Sequence, residues 1–365
     1  MLSDAKSLDD DEEVLVLDTA ASPAGDGSGW EVDLHAWVYE PEEDSVERRL
    51  VLQGLKKTVG ISPQDPDEEA LFAARARLFL VDNERGERVT LRLAGNEVEL
   101  PPTAADGHTR VTVRLELPAA SPAAAAGASP TSPASPRWLP TAVLLPPGDP
   151  RSFTGGVQLV PARGISVLSD IDDTVKVTGV TDKRELLANT FLRPFRAVPG
   201  MAAAYARWAA QGAAFHYLSS SPWQLYPALS AFLRDAGFPR GALQLRHFRV
   251  PDGSFWGLLA SPETYKIPAI DKTLRQHPAR GFFLVGDSGE KDPEIYGEIA
   301  RRYPAQVCHV FIRLVTPGPG DEARFAAAFA GVPPERITLF TDPAVLERVP
   351  AVTPDAPTPP GEGDR

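Results

Sequence analysis

The chain has 365 residues, a hydrophobic fraction of 43% and a formal net charge of −12 at pH 7. That length suggests two domains, since one core seldom serves more than about 250–300 residues. The acidity argues against sequence-independent nucleic-acid binding and against a strong hold on anionic membranes, both of which rely on Lys and Arg.

The single cysteine, Cys308, excludes an intramolecular disulfide and a cysteine-built zinc site. The opening Met1-Leu2-Ser3-Asp4-Ala5-Lys6, followed by acids from Asp9 to Glu13, does not read as a signal peptide. No run of about 18 apolar residues is present to span a membrane. The expectation is a cytoplasmic protein, at most peripheral at a membrane. Its oligomeric state is not encoded in any recognisable pattern.

Residues 1–13 are acidic and read as disordered. Residues 14–160 read as a β-rich accessory domain. Val14 to Leu17 is a short apolar run, and Trp30 to Tyr39 alternates before turning more apolar. Residues 67–76 suggest a helix, and Arg75 to Val81 reads as a strand ending at the turn signal Asp82-Asn83-Glu84-Arg85-Gly86. Val89 to Leu93, Val98 to Leu100, Val111 to Leu117 and Trp138 to Leu145 add further strand candidates. Many short strands with turn punctuation favour an all-β, sandwich-like domain. Residues 118–136 are almost wholly Ala, Pro and Ser and read as a loop within it; the alternative is a domain boundary there, which would leave Trp138 to Val160 with the second domain.

From 161 to 348 strands alternate with helical segments, the signature of parallel strands joined by crossovers. Strands are expected at 165–168, 213–218, 243–245, 282–287 and 307–312, and helices at 201–211, 226–236, 265–276, 295–303 and 321–330. Residues 349–365 are Pro-rich and read as a disordered tail. The fold class is therefore α/β, a Rossmann-like parallel sheet preceded by an all-β domain.

The stretch Gly164 to Thr174 runs from an apolar strand straight into Asp170, Asp172 and Asp173. On an extended backbone Asp170 and Asp172 face the same way. Like charges so close are costly unless a cation or proton is shared. Three strong strands end in polar groups: Asp170 with Asp172, then Ser219, then Gly286-Asp287. All would gather on the sheet edge where open α/β sheets bind ligands. This convergence points to a catalytic, metal-dependent site. A carboxylate can accept a phosphoryl group, and a hard cation such as Mg²⁺ takes oxygen ligands that Asp170 and Asp287 can supply. Asp172 can protonate a leaving alkoxide and then activate water. Ser219 and a lysine can hold the phosphate oxygens.

Asp170-Ile171-Asp172-Asp173-Thr174 resembles the first motif of the haloacid dehalogenase superfamily of phosphohydrolases. Ser219 looks like its second motif, Lys266 its third, and Gly286-Asp287-Ser288-Gly289-Glu290-Lys291-Asp292 its fourth. More narrowly, roughly residues 160–315 resemble the catalytic domain of the actin-patch-associated phosphatidate phosphatase family. The resembling segments are Ser169 to Lys176, Phe215 to Tyr226, Glu263 to Lys266 and Gly286 to Tyr296. The N-terminal half resembles the family's accessory domain only around His35-Ala36-Trp37-Val38. The resemblance implies a haloacid dehalogenase-like fold and Mg²⁺-dependent hydrolysis of a lipid phosphate such as phosphatidate. It implies Asp170 as nucleophile and Asp172 as general acid and base. Mg²⁺ would be held by Asp170, the main-chain carbonyl of Asp172, and Asp287, with Asp292 behind them. Lys266 would bind the phosphoryl group. Ser219 is preferred over Ser220 and Ser221 because it directly follows the apolar strand, and Lys272 is the rival of Lys266.

Plainer readings compete. Asp170, Asp172 and Asp173 would also suit a helix-capping turn, Ser219 a turn before Pro222, and Lys266 an ordinary surface lysine. Asp292 would suit an N-cap, with Pro293 at the first helical position. His216 reads as a packed strand residue, and Trp223 and Tyr226 as pocket wall or core. Lys176 reads either as a contact for an anionic substrate or as solvated. The alternative functions are a phosphatase for a soluble or macromolecular phosphomonoester, and a non-catalytic module that binds a cation or phosphoryl group. Asp172 argues against the latter, because a mere phospho-acceptor needs no acid two residues on.

Overall fold

The computed structural model describes residues 8–41, 63–116, 136–247, 263–316 and 318–349. The sequence expectations for 118–135, for most of the first dozen residues and for the tail beyond 349 lie outside them. The described residues divide into two compact units. One holds 8–41, 77–116, 136–161 and 241–243; the other holds 63–76, 162–240 and the later residues from 244.

The first unit is built on strands β1 (Glu13–Val16), β2 (Thr19–Pro23), β3 (Trp30–Glu40), β4 (Asp82–Asn83), β5 (Thr90–Leu93), β6 (Asn96–Glu99), β7 (His108–Leu115), β8 (Arg137–Val143) and β9 (Thr154–Leu159). The sequence suggests an all-β, sandwich-like domain. The strands form one connected, mixed sheet, in which β2 pairs parallel with β9 and joins the two halves. The long β3 organises one half, with β1 and β2 along one edge and β7 and β4 along the other. Inward residues of both halves, Val32, Leu34, Leu91, Leu93, Val157 and Leu159 among them, share one core. Strand β9 escapes a propensity reading because it opens on Gly155 and Gly156. A Cβ on Gly155 would lie 2.7 Å from the carbonyl oxygen of Val16, so close strand approach demands the glycine.

The stretch read as a strand at 75–81 is not one. Helix α1 (Pro66–Ala76) runs through its first residues and a 3-10 turn follows at Arg77–Phe79. Phe72, Arg75 and Ala76 have helical spacing and are all buried, which decides the period in favour of helix. Asp65 caps it by accepting from the N–H groups of Asp67 and Glu68.

The second unit is a parallel-sheet α/β layer structure. Its strands are β10 (Ile165–Asp170), β11 (Ala214–Pro222), β12 (Ala242–Arg246), β13 (Gly281–Asp287), β14 (Val307–Arg313) and β15 (Ile337–Phe340), in the spatial order β12-β11-β10-β13-β14-β15. The pairings from β11 through to β15 are parallel. The helices are α2 (Lys183–Phe191), α3 (Met201–Ala210), α4 (Tyr226–Asp235), α5 (Glu263–Gln276), α6 (Asp292–Arg302) and α7 (Asp321–Ala328). Every residue of β10 and β13 is buried, as expected of central strands covered on both faces. On one face Leu168, Leu284, Val310 and Ile312 meet Ile270 and Leu274 of α5 and Ile295 and Ile299 of α6. On the other, Trp208 of α3 packs against Phe283 and Phe311. The order of strands reverses between β10 and β13. That switch point leaves a crevice at the strands' carboxyl ends, the general ligand position in this architecture. No helix of the described residues is long and apolar enough to cross a membrane.

Candidate active site

Asp170 is the last residue of β10 and Asp287 the last of β13, so the switch point sets the two acids side by side. Asp292 comes from the first turn of α6. The three carboxylates are buried, and each brings an oxygen to within 4.8 Å of the others. Lys266, in the opening turn of α5, reaches in from behind. Its Nζ donates to Asp170 Oδ1 at 2.8 Å, to Asp292 Oδ1 at 2.6 Å and to Glu290 Oε2 at 3.3 Å. Asp292 Oδ2 accepts from the main-chain N–H of Asp287 at 3.3 Å. Gly286 makes room for this contact. A Cβ there would fall within contact distance of Asp292 Oδ2 and 2.6 Å from Tyr296 Cε2.

These groups leave excess negative charge in a buried place. Burial pushes the Asp170 carboxyl well above its usual range; Lys266 opposes this, and the charges of Asp292, Asp287 and Glu290 reinforce it. Asp287 is raised in the same way by burial, Asp292 and Glu290. Burial alone would depress the Lys266 ammonium, but Asp170, Asp292 and Glu290 outweigh it and hold the group charged. Asp170 Oδ2 and Asp287 Oδ2 are buried and accept no hydrogen bond. Two orphaned carboxylate oxygens among unbalanced acids suit a hard divalent cation, which takes oxygen ligands and reverses the local preference for protonation.

Asp172 faces a different set of donors. Its Oδ1 accepts from Lys176 Nζ at 2.8 Å and Thr178 Oγ1 at 2.9 Å. Its Oδ2 accepts from Ser219 Oγ at 2.8 Å and Ser221 Oγ at 3.1 Å. Burial would raise this carboxyl, but the charge and hydrogen bond of Lys176, with Ser219 and Thr178, hold it down to about 2. Asp173 builds the turn beneath. Its backbone is left-handed, with φ 51°, and its carboxylate accepts from the N–H groups of Thr178, Gly179 and Val180 at 2.6–3.0 Å. Beside Asp172 opens a cleft of about 50 Å³, where Ser221 and Glu290 face apolar walls from Val180, Leu186, Leu187 and Leu225.

All the carboxylates and hydroxyls named above, with Lys266, lie in one continuous stretch of sequence that matches a described family. Residues 165–314 match the family "Phosphatidate phosphatase APP1, catalytic domain". The match covers 150 of the 365 residues, and over this segment the chain is similar to that catalytic-domain family. Saccharomyces cerevisiae phosphatidate phosphatase APP1 is 35% identical over 170 residues, covering 45% of this chain and 28% of that protein. An uncharacterised protein of Schizosaccharomyces pombe is 31% identical over 214 residues, covering 57% of this chain and 33% of that protein. The chain thus spans about a third or less of the length of these curated relatives.

Within the APP1-type segment, Asp170, Asp287, Asp292 and Lys266 come together in one cluster, while Asp172 and Ser219 meet in a second that Asp170 joins through Ile171. The ammonium that reaches the acids belongs to Lys266. Ser219 and Ser221 both turn to Asp172, and the hydroxyl of Ser220 is buried without a partner. Asp292 is not the N-cap of α6. Lys291 holds that place, and Asp292 sits in the first turn with its side chain on Lys266. Trp223 and Tyr226 are buried. His216 is buried against Ser166 and His277, and burial, with the charges of His277 and Arg280, pushes its imidazole well down.

Four contributors escape a sequence reading. Glu290 contacts Lys266 and lines the cleft. The fourth motif contains it, but the motif's five-residue acid spacing passes over it. Thr178 carries no motif signal. Arg324 comes from α7, more than thirty residues on, and donates to the carbonyls of Ser288, at 2.7 Å, and of Glu290. It also forks onto the Glu294 carboxylate. Arg313 similarly donates to the carbonyl of Asp173 at 2.6 Å.

Proposed function

We propose that this protein is a Mg²⁺-dependent phosphatase of the haloacid dehalogenase type that hydrolyses a phosphomonoester through an aspartyl-phosphate on Asp170. We further propose that its substrate is a lipid phosphate such as phosphatidate. The observation that carries the chemistry is the pairing of Asp170, whose Oδ2 lacks a partner, with Asp287 across the switch point. A separate acid, Asp172, stands two residues away. Mg²⁺ would be held by Asp170 and Asp287, with Asp292 behind them and the main-chain carbonyl of Asp172 as a further ligand. Bound there, it would neutralise charge on the phosphoryl oxygens.

The Asp170 carboxylate attacks phosphorus as the bond to the ester oxygen breaks. The departing oxygen takes a proton from the Asp172 carboxyl. Water then attacks the acyl phosphate and gives its proton to Asp172, while the bond to Asp170 breaks and inorganic phosphate forms. Asp172 in the free protein is held as the carboxylate, the form the second step needs. A phosphomonoester entering as its monoanion, populated below a second pKa of about 6, carries in the proton for the first. Lys266 keeps its charge throughout and offsets repulsion between Asp170 and the phosphoryl group.

The lipid assignment rests on the name of the yeast relative and on the apolar walls beside Asp172. A cleft of about 50 Å³ admits only the atoms nearest the phosphate. The chains of an amphiphile would remain outside it, consistent with a substrate held in a membrane or micelle. Purified protein in Mg²⁺ is expected to release phosphate from phosphatidate in mixed micelles faster than from soluble phosphomonoesters. Asp170→Asn and excess EDTA should each abolish release. Undiminished release in either would overturn the mechanism. A preference for soluble esters would overturn the lipid assignment and leave the chemistry standing.

A further inference from the structure

Lys176 occupies a place not expected from its residue type. Lysine normally keeps its ammonium in water, yet this side chain is buried. Its backbone is fixed on both sides. Lys176 N–H donates to the Ile171 carbonyl at 2.9 Å, its own carbonyl accepts from Asp173 N–H at 2.7 Å, and it bridges to Ala197. The ammonium ends on Asp172 Oδ1 at 2.8 Å and on Thr178 Oγ1, and lies 4.9 Å from the centre of the Phe195 ring. With its contacts made to a carboxylate, a hydroxyl and an aromatic face, it presents no exposed surface to a phosphate. Neither sequence expectation for it, substrate contact or solvated residue, describes it.

A buried ion pair contributes little net stability, because desolvation offsets most of the attraction. Stability alone therefore does not account for a lysine here. We propose that Lys176, with Thr178, is a positioning residue for Asp172. The two hold Oδ1, so that Oδ2, which faces Ser219 and Ser221, is the oxygen that exchanges protons with the leaving group and water. This assignment rests on the phosphatase reading, since it gives Lys176 no role without a proton transfer at Asp172.

The test compares leaving groups on the full-length protein in Mg²⁺. An alkyl phosphate, here phosphatidate in mixed micelles, needs its departing oxygen protonated, whereas p-nitrophenyl phosphate releases a stable phenolate. Lys176→Met is expected to lower kcat/KM about 100-fold for the alkyl phosphate, the scale of a misplaced general acid, and only about fivefold for the aryl one. Thr178→Val should show the same bias to a smaller degree, and Thr178→Ser, which keeps the hydroxyl, should restore most of the lost rate. Circular dichroism and a thermal melt check folding. If Lys176→Met does not fold, the Thr178 pair carries the comparison. Equal losses on both substrates would overturn the assignment, because a phosphate contact or a general loosening affects both alike. A wild-type protein inactive on both esters would remove the phosphatase reading and this assignment with it. An active wild type with unbiased variants would remove the assignment alone.

Discussion

Asp287 shows how a single residue can be tested for a cation without any turnover. Its carboxyl and that of Asp170 are raised by burial and by neighbouring acids. A group whose folded pKa lies above its unfolded value favours the folded state when protonated, and that advantage is lost as pH rises through the folded pKa. At pH 7 the cation-free protein therefore bears a cost at this cluster that a bound ion would remove. Mg²⁺ is expected to raise the unfolding temperature, with a stabilisation of about 2.7 kcal/mol at a hundred times its dissociation constant. Asp287→Asn should be more stable than wild type in EDTA at pH 7 and should lose most of the Mg²⁺ response. A full Mg²⁺ shift in that variant would place the cation elsewhere. At this scale the candidate site was legible where a strand end brings a polar side chain to the cluster, as at Asp170, Ser219 and Asp287. It was illegible where a residue acts by touching a neighbour. The contacts of Lys176 and the carbonyl-binding Arg324 depend on how turns and helices return, and no local pattern encodes that.

Among the elements, the β13–α6 loop depends on a helix far along the chain. Arg324 of α7 holds the Ser288 and Glu290 carbonyls and the Glu294 carboxylate, and Ser288 N–H donates to Arg313 O at 2.9 Å. This clamp fixes the backbone between Asp287 and Asp292. Outer partners of this kind typically change metal affinity or activity by about 10–100-fold. Arg324→Ala is expected to raise the Mg²⁺ concentration for half-maximal activity by about tenfold, with the variant still folded; an unchanged requirement would show that the loop holds itself. Strand β14 supplies a second element-scale expectation. His309 donates to or accepts from Thr338 Oγ1 at 2.8 Å and stacks on Phe311, and burial lowers its imidazole to about 4. Above pH 6.5 the residue is neutral in both folded and unfolded chains. Between about 6.5 and 4 only the unfolded chain takes up the proton, so stability falls as pH drops through that window. The fall in urea midpoint from pH 7 to pH 5 should be smaller in His309→Gln than in wild type. The strong strands and their helices were readable because apolar runs, Gly stops and alternation agree. Strand β15 and helix α2 were missed, the first being short and half-exposed and the second showing only weak amphipathic patterning.

At the scale of the whole molecule, sequence order and structural membership part company at α1. The helix lies among the β-rich stretch of the chain, and nothing in its local pattern says which core it serves. It belongs to the α/β unit. Phe72 packs on Phe191 of α2 with ring centroids 6.1 Å apart. Arg75 donates to the carbonyls of Thr190 and Arg193 at 2.8 and 2.7 Å, with its guanidinium 3.7 Å from the centre of the Phe195 ring. Those carbonyls and that ring close the segment carrying α2, which lines the cleft, and Phe195 also lies under Lys176. A helix from the first half of the chain therefore braces the ground on which Asp172 is held. Phe72 is buried, so Phe72→Ala should cost about 3–5 kcal/mol through lost burial and an unfilled cavity. Because the chain forms two units, thermal unfolding is expected in two transitions. The variant should lower the one that coincides with loss of phosphatase activity and leave the other in place. A shift confined to the other transition would mean that α1 serves the mixed β-sheet unit, and that the α/β unit is complete from residue 162 onward.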